Sequence, residues 1–144
     1  MQTIREEIDA LLPHRRPMRL IDEIIAVEGD SVVTAATVIE QWPLLKSGAV
    51  SPIVTLELVA QSAAALGGWK QLNSPDRPAG RAGLLVGIQS AVFHIDRIPL
   101  HSLILTRCTT RQMLGDFKQI SGSVRIGGQL IAEINLQTVQ LAHL

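Results

Sequence analysis

Tyrosine is absent from this chain, and its 144 residues include only two phenylalanines and two tryptophans. Faces on which nucleic-acid bases could stack are therefore scarce, and any core must be aliphatic. Charge of one sign is also missing. Thirteen Lys plus Arg balance thirteen Asp plus Glu, and no basic stripe of the kind a nucleic-acid surface needs is present. Cys108 is the single cysteine, so a disulfide framework within one chain is impossible. It lies in a strand-like run, Leu103 to Thr110, and reads as a small buried filler. The four histidines, His14, His94, His101 and His143, show no ligand spacing, so no metal site is expected; nor is a cofactor. Met1 to Leu12 lacks the apolar core of a signal peptide. The longest helix-like apolar stretch is interrupted by Glu57 and Gln61 and is not a membrane span. The expected location is the cytoplasm.

What is present is apolar: 47% hydrophobic residues against 18% charged, the balance of a globular chain, with a length that suits one domain over 1–144. Apolar residues at Ile4, Ile8, Leu11 and Leu12 have helical spacing, and Pro13 ends that short helix. Met18 to Val27 and Ser31 to Ile39 read as two strands joined by a turn at Gly29-Asp30. Gln41 to Ser51 reads as a loop. Ser51-Pro52 then opens a helix, with Ser51 at the N-cap and Pro52 at the first helical position. It runs to about Leu66, where Gly67-Gly68 ends it. Apolar residues cover nearly its whole circumference, which predicts burial on all sides inside a wrapper. Four strand candidates supply the wrapper: Gly83 to His94, Ser102 to Met113, Phe117 to Ile126 and Leu130 to Gln140. Hairpin turns join the last three, at Leu114-Gly115-Asp116 and Gly127-Gly128. In the last strand Leu130, Ala132, Ile134 and Leu136 share one face. The class is α+β, one long helix in the curl of an antiparallel sheet.

Glu57 is the chemical anomaly. A carboxylate among aliphatic residues either stays neutral or reaches a partner. Gln61, four residues on and on the same helix face, is placed to orient it. A carboxyl in an apolar slot suits general acid–base work. The alternative is a glutamate at an exposed helix edge, or one paired with an arginine across a subunit interface. The helix start, Val50, Pro52 and Ile53 through Val54, offers backbone N–H groups and a positive dipole end to a thioester carbonyl, although every helix has such an end. His14, held between Pro13 and Pro17, is a base or a structural hydrogen-bonder. His94 reads as an outward strand residue, and His101 and His143 as solvated. Arg15, Arg16, Arg19, Arg77 and Arg81 are candidates to meet an acidic carrier or a pantetheine phosphate.

The run Leu11-Leu12-Pro13-His14-Arg15-Arg16-Pro17-Met18-Arg19-Leu20-Ile21-Asp22 resembles the opening motif of bacterial 3-hydroxyacyl-(acyl carrier protein) dehydratases. Val50-Ser51-Pro52 followed by Leu56-Glu57-Leu58-Val59-Ala60-Gln61 resembles the start of their central helix, and the order of elements agrees over nearly the whole chain. The resemblance implies a hot-dog fold, a dimer (homodimer or higher oligomer) with a continuous sheet, and interfacial tunnels that take acyl carrier protein or coenzyme A thioesters. It also implies a catalytic role for Glu57. One departure stands out. The family's catalytic histidine, in a Gly-His-Phe-Pro sequence before the helix, has no counterpart in Trp42 to Val50. The loop before the helix, with Gly48, and the Gly67-Gly68-Trp69 ending resemble a divergent branch found with polyketide-like and aryl-polyene lipid pathways.

Three functions follow from these readings. A dehydratase would give a trans-2-enoyl product in fatty-acid or polyketide-like synthesis, with Glu57 protonating the leaving hydroxyl and His14 the remaining base. A hot-dog thioesterase would need only Glu57 to activate water. A non-catalytic partner would bind acyl chains or complete an active homologue.

Overall fold

In the computed structural model, the described residues are 2–3, 8–74 and 82–141. In chain order they form β1 (Gln2–Thr3), α1 (Ile8–Leu11), β2 (Glu23–Glu28), β3 (Ser31–Thr37), β4 (Leu45–Lys46), β5 (Ala49–Val50), α2 (Val54–Leu72), β6 (Ala82–Phe93), β7 (Ile98–Pro99), β8 (Leu103–Gln112), β9 (Phe117–Ile126) and β10 (Gln129–Leu141). Seven strands make one antiparallel sheet in the order β1-β2-β3-β8-β9-β10-β6, and β4-β5-β7 make a second, small one. The helix α2 lies on one face of the large sheet, against β8, β9, β3 and β10. This is the expected α+β arrangement.

Strand alternation builds the contact. Along β8 the inward residues Ile104, Thr106 and Cys108 are buried between exposed neighbours, the period-two pattern of a sheet covered on one face. They meet Leu58 and Val59 of α2 in one aliphatic cluster that also holds Leu20, Ile21, Val32, Ile134 and Leu136. Polar groups in the contact are paired: Thr34 Oγ1 and Ser62 Oγ lie 2.8 Å apart, and Ser62 Oγ donates to the Leu58 carbonyl at 2.7 Å. Gly122 of β9 faces Val59, and a Cβ there would come within 2.4 Å of a Val59 methyl, so this glycine sets how closely the helix seats.

Several boundaries differ from the sequence reading, each for a local reason. The strand expected from Met18, β2, begins at Glu23, because the Leu20 and Ile21 N–H groups are held by the Gln61 side chain. The 41–51 loop contains the hairpin β4–β5. Of the expected N-terminal helix, residues 4–7 lie outside the described residues, and Ile8–Leu11 is helical. In β10 an irregularity between Leu130 and Ala132 shifts the phase, so Ile131 is buried beside Ala132 and the alternation runs cleanly only from there.

The helix α2 differs most. Its first turns are tight: Val54 N–H donates to the Ser51 carbonyl, Thr55 to Pro52 and Leu56 to Ile53. The regular helix therefore starts at Val54, two residues past Pro52, with Ile53 at the N-cap. It also runs through Gly67-Gly68 to Leu72. Gly68 is there for packing, since a Cβ would sit 2.2 Å from the Leu11 carbonyl oxygen of α1, whereas one on Gly67 meets nothing within 4 Å. Gly68→Ala should cost about 1–3 kcal/mol by forcing α1 away. Gly67→Ala should instead stabilise by about 0.5–1 kcal/mol through helix propensity. Paired denaturant titrations check the contrast. Nor is α2 buried all round. Glu57, Ala64 and Gly67 are exposed, because one sheet covers only one side of a cylinder.

Cys108 is fully buried, and burial pushes its thiol up to about 12 from an ordinary 9.0. The native protein should resist thiol reagents at pH 8 and react at once on unfolding. The unfolded thiol ionises first, so this group's contribution to stability is complete below pH 9.0 and is lost as pH rises toward about 12.

Candidate active site

The helix α2 carries Glu57 on its uncovered side, with half of the side chain accessible, and Gln61 one turn on, fully buried. Gln61 is a hub. Its Oε1 accepts the Leu20 N–H at 2.8 Å and the Ile21 N–H at 3.4 Å. Its Nε2 donates to the Met18 carbonyl at 2.7 Å and to Glu57 Oε1 at 2.9 Å. One amide therefore ties the Pro13-to-Asp22 segment to the helix and holds one oxygen of the carboxylate. These positions are filled, and Gln61 has no exposed surface.

The same segment delivers His14. Its Nε2 lies 3.6 Å from Glu57 Oε1, and its side chain is one-third exposed. Its Nδ1 is buried without a hydrogen-bond partner among the described residues. Glu57 thus lies at a helix edge with Gln61 and His14 beside it. The segment is braced from outside. Arg19 bonds Asp9 at 2.7 Å, Arg15 bonds the Leu12 carbonyl at 2.7 Å and lies 3.8 Å from Asp9, and Arg16 pairs with Asp22, whose other oxygen accepts the Thr37 N–H. These three arginines are engaged within the fold, while the Arg15 side chain stays accessible. Arg77 and Arg81 lie outside the described residues, as does His143.

The helix start is also corrected. Ile53 N–H donates to Ser51 Oγ at 3.3 Å and Val54, Thr55 and Leu56 bond into the opening turns, so these donors are not free for a thioester carbonyl. Val50 is buried in β5, Pro52 is buried, and Ile53 presents its side chain at 52% exposure, one turn before Glu57. Met18, whose carbonyl holds Gln61, is 62% exposed. His14 and Glu57 are both accessible, and the exposed residues near them in sequence include the apolar Met18 and Ile53. His94 pairs with Glu133 at 3.0 Å on the exposed sheet surface, and His101 is an exposed loop residue with φ 71°. Among the described residues no cluster of His, Cys, Asp and Glu has the arrangement of a metal site, and no helix is long and apolar enough to cross a membrane.

Nothing in the 3.6-residue periodicity reveals that Gln61 reaches Leu20 and Ile21, more than forty positions away at the first of them. A buried amide in an otherwise aliphatic helix was the available signal.

Comparison with known proteins agrees with this architecture. Residues 6–144 match the ApeP-like family, described as ApeP dehydratase. The 3-hydroxyacyl-[acyl-carrier-protein] dehydratase FabZ of Anaeromyxobacter sp. (strain K) is 32% identical over 132 residues, covering 88% of this chain and 83% of the relative. FabZ of Listeria welshimeri is 28% identical over 133 residues, covering 91% of each. Among solved structures, the dehydratase heterocomplex ApeI:P from Xenorhabdus doucetiae superposes with a TM-score of 0.85 at 21% identity, covering 97% of this chain and 94% of that one. A hypothetical thioesterase with coenzyme A from Streptococcus pneumoniae gives 0.62 at 12% identity, covering 83% and 84%. The chain therefore has the hot-dog fold and belongs to the ApeP-like dehydratase family, among the relatives of the 3-hydroxyacyl-(acyl carrier protein) dehydratases.

Proposed function

We propose that this chain dehydrates 3-hydroxyacyl thioesters in the cytoplasm, in fatty-acid or polyketide-like synthesis, with Glu57 as acid and His14 as base. The observation that carries this is the approach of His14 Nε2 to within 3.6 Å of Glu57 Oε1, with both side chains accessible. Neutral His14 takes the C2 proton, the C2–H electron pair becomes the C2=C3 bond, and the C3–O bond breaks as the Glu57 carboxyl gives its proton to the departing hydroxyl, which leaves as water. The products are a trans-2-enoyl thioester, a protonated His14 and a Glu57 carboxylate. Their closeness allows the proton to pass back, since the neutral pair and the ion pair carry the same protons. His14→Gln keeps a polar side chain but removes the base, and should lower turnover about 10²-fold or more. An unchanged rate in a steady-state assay of enoyl formation would remove His14 from the mechanism.

A second reading is favoured by the edge of the sheet. The strand β6 is an outer strand of the large sheet, and its described residues include exposed Ile88, Val92 and Phe93. A long apolar edge is a template for another chain. The chain would then work as a dimer, either with itself or, as with the ApeI:P heterocomplex, with a second hot-dog subunit that supplies a histidine to Glu57. Adding such a subunit should raise the rate of His14→Gln only under this second reading. A thioesterase would release free acid in place of the enoyl thioester.

A further inference from the structure

Resting on the thioester reading above, we infer that Lys46 and Arg97 form a subsite for the phosphate of the substrate's pantetheine arm. The small sheet β4-β5-β7 holds a hollow of about 420 Å³ beside the start of α2, lined by Leu44, Lys46, Val50, Ser51, Asp96 and Arg97 among others. The register fixes its geometry. Leu45 and Ile98 both lie opposite Val50, so Leu44 and Arg97 flank Ser51 from its two sides, and Lys46 lies two residues beyond Leu44. Ser51 precedes Glu57 by six residues at the start of α2, and Lys46 and Arg97 line the same hollow as Ser51. An arm whose thioester end sits over Glu57 meets this hollow if it runs back toward the start of the helix.

Among the described residues, the cations at the hollow are less engaged than those of the opening motif. Arg15, Arg16 and Arg19 are bound to Asp9, Asp22 and backbone carbonyls. Lys46 has no ion-pair or hydrogen-bond partner among the described residues, and Arg97 spends one N–H on the Ser47 carbonyl at 2.7 Å, keeping its full charge and its other donors. Asp96, also at the hollow and without an ion pair to either cation, leaves a net single positive charge, which matches the one negative charge of a phosphodiester. Leu44 adds a second sign of a built surface. It is 56% exposed at φ 64°, a backbone region that disfavours side chains, where glycine or asparagine would be less strained. An apolar residue held out under strain is explained if the arm's methyl-bearing segment packs on it.

The test compares thioesters of one 3-hydroxyacyl group on pantetheine and on 4′-phosphopantetheine. Charge-assisted contacts to the phosphate should make KM about tenfold lower for the phosphorylated form. In Lys46→Ala, which breaks no bond in the fold, that ratio should fall about threefold, and in Lys46→Ala/Arg97→Gln it should approach one. A wild-type ratio near one, or a ratio unchanged in the double variant, overturns the subsite. Calorimetric binding of phosphopantetheine against pantetheine reads the same preference without turnover, so loss of the dehydratase reading and loss of the subsite are told apart. Coenzyme A and carrier-protein thioesters complete the series. Weakening of both by the double variant supports recognition of the shared phosphate. Weakening of the carrier form alone means that the cations read the carrier's surface, and overturns the subsite.

Discussion

Glu57→Gln is expected to slow enoyl formation by about 10²–10⁴-fold, the usual contribution of a positioned general acid. The amide matches the carboxyl in shape and still accepts the Gln61 hydrogen bond that holds Oε1, so the geometry survives while the transferable proton is lost. The side chain is about half exposed, and a surface exchange of this kind changes stability by no more than about 0.5 kcal/mol. Matched melting temperatures with collapsed turnover would assign the loss to chemistry. If Glu57→Gln retained the wild-type rate, the acid would have to be another group.

Gln61→Leu is expected to destabilise the fold by about 3–5 kcal/mol. The substitution leaves the Leu20 and Ile21 N–H groups without partners in a buried place and releases the part-buried Met18 carbonyl, and each buried orphan costs about 1–3 kcal/mol. It also frees the segment that carries His14. Gln61→Glu separates the two effects. It keeps an acceptor for Leu20 and Ile21 but cannot donate to Glu57, and it places a second carboxyl beside the first. Its kcat should fall with KM little changed, because what is lost is the aim of a catalytic group and not a substrate contact. Denaturant unfolding of the first variant and steady-state kinetics of the second check the pair. A stable Gln61→Leu protein would deny the hub its role.

Local pattern made most of the architecture legible. Alternation along Leu103 to Gln112 and the Gly127-Gly128 turn give β8, β9 and β10 their faces and order, and Ser51-Pro52 marks where the chain turns into α2 to within three residues. Glu57 stands out by being charged in an aliphatic helix. What could not be read depends on contacts distant in sequence. His14 meets Glu57 only because Gln61 clamps the Leu20–Ile21 backbone. The length of α2 past Gly67-Gly68 depends on Leu11 packing against Gly68, where local propensity alone argues for an end. The arginines of the opening motif look free in sequence because their partners, Asp9 and Asp22, are brought round by a turn.

The most direct measurement is the mass of the product when the purified chain alone is incubated with a 3-hydroxyacyl thioester on its carrier, wild type beside Glu57→Gln. Dehydration through Glu57 and His14 of one sequence predicts loss of one water with the acyl group still on the carrier, and no such loss in the variant. Release of free acid, or retained binding with no turnover until a second hot-dog subunit is added, would contradict it.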